Sequence, residues 1–93
     1  MIEKCLDLIK LSTGRADEYY RAMTTWVTSR RNHGSVKALI KLAMSYKTAL
    51  QHALLCLRGL KRSEAVEKEI AKTKDYNAMI TADLELLKSL KDS

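Results

Sequence analysis

Ninety-three residues with a net charge of +6, 46% apolar and 30% charged, make one domain spanning 1–93 and exclude a disordered chain. Proline and phenylalanine are absent and glycine occurs three times. That is the composition of an all-helical protein, since proline would break helix interiors. The longest uncharged stretch, TALQHALLCL at 48–57, is about half of what a bilayer span needs, which excludes a membrane protein.

The first helix is expected over about 2–31. Ile2, Leu6, Ile9, Thr13, Ala16, Tyr20, Met23 and Val27 recur at spacings of three and four, as one helix face does. The rhythm runs through Gly14, which weakens a helix by roughly 1 kcal/mol without having to end it. A break at LSTG, with Ser12 or Thr13 capping a second short helix, is the alternative. The N-terminal stretch MIEKCLDLIK carries an acid at Glu3 and no long apolar core, so it does not read as a signal peptide.

The second helix is expected over about 35–59, after the turn in RRNHGSVK, with Gly34 as the break and Ser35 as the N-cap. Val36, Leu39, Ile40, Ala43, Tyr46, Leu50, Ala53, Leu54 and Leu57 form its inner stripe. Leu42, Met44, Ala49 and Leu60 broaden that stripe, leaving a narrow polar line at Lys37, Lys41, Ser45, Thr48 and His52. Gly59 stands where a C′ residue would close the helix.

The third helix is expected over about 63–91. It starts at Ser63, with Glu64 and Glu67 complementing its dipole, and its stripe is Val66, Ile70, Thr73, Ile80, Leu84, Leu87 and Leu90. Short connections force neighbours antiparallel, so the fold class is an all-α, antiparallel three-helix up-down-up bundle. Long hairpins pairing into a dimeric bundle are the alternative, because the second helix is apolar over most of its circumference.

Cys5 and Cys56 are too few for a disulfide scaffold. An antiparallel first pair of helices would bring them toward the same end. A bridge or redox pair is therefore geometrically possible, but they are read as reduced, mostly buried thiols in a cytoplasmic, intracellular protein.

Charge is the most informative feature. Between Glu18 and Glu64 the 45 residues 19–63 hold no Asp or Glu. They hold nine bases: Arg21, Arg30, Arg31, Lys37, Lys41, Lys47, Arg58, Lys61 and Arg62. That middle is +9 and the flanks together −3. Helix surfaces ordinarily mix signs, which gains i,i+4 pairs and avoids self-repulsion. Folding the hairpin places Arg30 and Arg31 beside Lys37 and Lys41, and Arg21 level with Lys47. Thr24, Thr25, Thr28 and Ser29 between them offer hydroxyl donors.

These residues suit a basic surface that grips an acidic face of a larger protein, with Trp26 either a core residue or a half-exposed anchor. The same stripe could contact a phosphate backbone, although aromatics for stacking are few. Met23, Met44 and Met79 read as core fillers. No nucleophile–base pair, metal-ligand spacing or phosphate loop can be assembled, so no catalytic residue, metal or cofactor is expected. His33 and His52 read as a turn residue and the edge of the polar line. The expectation is a small non-enzymatic adaptor, chaperone or inhibitor with Arg21, Arg30, Arg31, Lys37, Lys41, Lys47 and Trp26 as its contacts. A homodimer is left open by the stripe widths.

Overall fold

A computed structural model describes residues 2–28 and 33–92. Three helices occupy nearly all of it: α1 (Ile2–Thr28), α2 (His33–Arg58) and α3 (Glu64–Asp92). They form a three-helix bundle 47 × 19 × 16 Å in extent, with α2 central and packed against both others. The three helices come from one chain.

Local chemistry explains the ends. α2 begins at His33, two residues before the expected Ser35 cap, so Ser35 lies within the helix. Ser29 and the first three residues of RRNHGSVK, Arg30, Arg31 and Asn32, fall outside the described residues. α2 closes through tightened bonds from Gly59 N to Cys56 O (3.2 Å) and from Leu60 N to Leu57 O (3.1 Å). No left-handed backbone is required of Gly59, so the close differs from the expected glycine cap. Ser63 does cap α3, its hydroxyl accepting from Val66 N at 3.3 Å.

α1 runs unbroken through Gly14. Its buried seam, however, is rotated by one position from the expected stripe. Cys5, Ser12, Tyr19 and Trp26 are buried, whereas Leu6, Tyr20 and Val27 are 43%, 41% and 49% exposed. Both rows repeat every seven residues, so both stay on a fixed side of the helix. Docking against α2 buries the first row. The second faces the side of α3, where the bundle stays open, because the α1 and α3 backbones do not pack on each other.

The stripes of α2 and α3 are as expected: Val36, Leu39, Ala43, Tyr46, Leu50, Ala53 and Leu57 meet Val66, Ile70, Ile80, Leu84 and Leu87 in the core. One cluster gathers Tyr19, Trp26, Leu39, Leu50, Ile80 and Leu87. A smaller one gathers Cys5, Leu57, Val66 and Ile70 near the α2–α3 turn. The methionine expectation needs correction. Met23 packs partly against the core, but Met44 and Met79 are exposed.

The cysteines are also corrected. Cys5 and Cys56 are joined in a disulfide, with Cα atoms 5.5 Å apart, inside the range such a bond spans. The bond staples α1 to α2 across 51 residues of sequence and fixes their antiparallel register. Counting equal rises from it brings Arg21 level with Ile40 rather than with Lys47.

Candidate functional site

Two surfaces carry chemistry. The first is the outward face of α2, opposite its buried stripe. Lys37, Lys41, Met44, Thr48, His52, Leu55 and Arg58 line it, all exposed. Met44 is 51% and Leu55 67% exposed, so the face is apolar as well as basic. No acid lies on it, since none occurs between 19 and 63. Lys37 and Lys41 flank one shallow depression floored by Ala38 and Ile40.

The remaining basic candidates do not join that depression. Lys47 is half-buried and lies about 120° around the α2 axis from Lys41. Arg21 is exposed on α1 and borders a separate hollow with Asp17, Tyr20, Thr24 and Thr25. The single continuous stripe expected from the hairpin is therefore split, because six residues of helical rotation part Lys47 from Lys41. Trp26 is only 8% exposed and belongs to the core, which removes it as a surface anchor. Arg30 and Arg31 lie outside the described residues.

The expected hydroxyl donors are engaged. Thr24 donates to Tyr20 O at 2.9 Å, Thr25 to Arg21 O at 3.1 Å, and Thr28 to Thr24 O at 3.0 Å. Short hydroxylated side chains in mid-helix commonly bond back in this way. Among the described residues the ion pair is Arg62–Glu67 at 2.9 Å, an exposed pair worth little. Lys37 and Lys41 stand with no carboxylate near them among those residues.

The second surface was not anticipated. Because the α1 and α3 backbones do not pack on each other, a cleft of about 590 Å³ opens between them. Ile9, Ala16, Leu50 and Met79 give it apolar walls, Ser12, Thr13 and Thr73 hydroxyls, and Tyr20, Tyr46 and Tyr76 three rings. Asp17 and Lys72 border it. Ser12 and Thr73 donate to Ile9 O and Glu69 O, each at 2.7 Å.

Tyr20 and Tyr46 meet edge to face with centroids 6.3 Å apart, and Tyr19 meets Tyr20 at 4.9 Å. Tyr19 donates to Asp83 Oδ2 at 2.9 Å, tying α1 to α3. Burial pushes the Tyr46 hydroxyl up to about 12, with help from Tyr20 and Tyr76. Burial raises Tyr20 too, followed by the charge of Asp83 and by Tyr76. Tyr19 is raised furthest, by burial first and then by its bond to Asp83. All three hydroxyls are therefore protonated at neutral pH.

The chain matches no protein-family model, no curated protein and no solved structure in comparisons with known proteins. Its function rests on its own geometry. Among the described residues, no group of three or more His, Cys, Asp and Glu could hold a metal ion. No helix among them is long and apolar enough to cross a membrane.

The cleft could have been sought in the sequence through one signal. Two adjacent seven-residue rows on α1, both carrying apolar or aromatic residues, cannot both be buried by one neighbouring helix.

Proposed function

We propose that the protein is a non-enzymatic binding protein that docks the outward face of α2 onto an acidic surface of a larger protein. One observation carries this reading: Met44 and Leu55 are exposed on the same acid-free stripe as Lys37, Lys41 and Arg58. Apolar side chains that shed water, set among charges that select the partner, are what protein interfaces combine. A surface that only tracks phosphates gains nothing from Met44 and Leu55. It would also want hydroxyl donors, and those of Thr24, Thr25 and Thr28 are turned into their own helix. Lys37 and Lys41 are the central contacts of that face.

The Cys5–Cys56 bond supports action in an oxidising compartment rather than in the reducing cytoplasm expected from composition. Partner capture should therefore be run on the oxidised protein. The wild type is compared with the double variant Lys37→Glu, Lys41→Glu, with and without nuclease. A protein that survives nuclease and is lost on charge reversal supports the reading. Binding that disappears with nuclease transfers the surface to nucleic acid, and a partner indifferent to the reversal overturns the role of this face.

A further inference from the structure

We propose that the α1–α3 cleft is a binding site for a small organic cation, a quaternary or protonated amine on an apolar body. Its head would sit by Tyr20 and Tyr46 beside Asp17, with Tyr76 lining the same cleft from α3.

The aromatic cluster is the first ground. Tyr20, Tyr46 and Tyr76 all line one cavity, and Tyr20 and Tyr46 meet at 69° rather than stacking flat. Aromatic rings that line a hollow attract cations whose hydration is weak. The volume, about 590 Å³, falls within the range that small ligands occupy.

The second ground is an unspent polar group. Tyr46 is only 4% exposed, lines the cleft, and donates its hydroxyl proton to no described residue. That hydroxyl opens onto the cleft, where water or an oxygen on the body of the ligand accepts its proton. Tyr19, by contrast, is satisfied by Asp83.

The third ground is the placement of charge. Asp17 borders the cleft next to Tyr20, and half-buried Asp83 bears electrostatically on Tyr20 from α3. The cation in the lining, Lys72, stands eleven residues down α3 from Asp83, roughly 16 Å along the axis. Asp17, three residues before Tyr20, thus marks the end with the paired rings, and Lys72, one turn from Tyr76, marks the other end. At physiological ionic strength fields are screened over about 8 Å. The local carboxylates, rather than the overall +6, then decide what the tyrosine end accepts. Ile9, Leu50 and Met79 supply the apolar path on which the body of the ligand lies.

The test is a titration of the folded, oxidised protein followed by the tyrosine ring resonances. Choline and benzyltrimethylammonium are compared with the neutral tert-butyl isostere of choline, in which carbon replaces nitrogen. The expected result is saturable shifts confined to Tyr20, Tyr46 and Tyr76, with the neutral isostere about tenfold weaker or worse. Tyr76→Leu, on an exposed position that leaves the core intact, and Asp17→Asn each weaken benzyltrimethylammonium severalfold with unchanged helix content. No saturable shift, equal binding of the neutral isostere, or indifference to Tyr76→Leu overturns the proposal. So does a concentration-dependent shift of the same rings without ligand, which would mean that a second copy fills the cleft.

Discussion

The hydroxyl of Tyr19 on α1 donates to Oδ2 of Asp83 on α3 across 2.9 Å, linking two helices whose backbones do not pack on each other. Tyr19 is fully buried, so the bond forms where water cannot compete freely. Its acceptor is a carboxylate, and such bonds contribute more than neutral ones. Tyr19→Phe should therefore lower the unfolding free energy by about 1.5–3 kcal/mol, measured by urea denaturation. Because the ring is retained, the loss reports the hydroxyl rather than a cavity. A midpoint equal to wild type would mean that α1 and α3 are held by α2 alone.

Reduction should also be costly. The Cys5–Cys56 bond closes a loop of 51 residues, which in the chain-entropy account stabilises the fold by about 4 kcal/mol. Dithiothreitol should shift the denaturation midpoint down by a corresponding amount, and peptide mapping of unreduced protein should recover the two cysteines linked. Melting that is identical with and without reductant would show that the sulfurs are thiols in solution.

Alkali should unfold the protein together with ionisation of its buried phenols. Tyrosine in an unfolded chain titrates near 10, whereas Tyr46 is pushed up to about 12 and Tyr19 higher, chiefly by burial. A raised pKa means that the folded state holds its proton more tightly. The stability this contributes is complete below pH 10 and is lost as pH rises toward and through 12. Phenolate absorbance and helical circular dichroism should change together in that window. Early, complete phenol ionisation with the helices intact would contradict the buried positions.

Gly14 offers a gain instead of a loss. It lies in an unbroken stretch of α1, and a Cβ there would meet nothing within 4 Å. Gly14→Ala should raise stability by roughly 0.5–1 kcal/mol, through helix propensity and a less flexible unfolded chain. A loss on thermal melting would indicate a kink or contact at this position.

The helix count, the antiparallel order and the inner faces of α2 and α3 were legible because apolar residues recur along those helices at spacings of three and four, and those rows are the ones buried. Val36, Leu39 and Leu57, or Ile70, Ile80 and Leu87, can meet a core in only one orientation. The acid-free middle was equally legible, since it depends on residue identity alone.

α1 was different. Its rows Leu6–Thr13–Tyr20–Val27 and Cys5–Ser12–Tyr19–Trp26 run side by side at the same period, and the first is the more conventionally apolar. Which row is buried depends on the angle at which α1 lies on α2, a property of the assembled bundle. Once Tyr19 and Trp26 face inward, Tyr20 is left on the open flank and the cleft follows.

Register decided the rest. Local pattern shows that helices pair, but not how far one slides along the other, and the Cys5–Cys56 contact needs that displacement. The sequence by itself determined three helices, their order and an asymmetric charge. Only the tertiary structure decided the rotation of α1, the disulfide, the level of Arg21 along α2, and the cleft. Each of these depends on distances between residues far apart in the chain, which no local periodicity encodes.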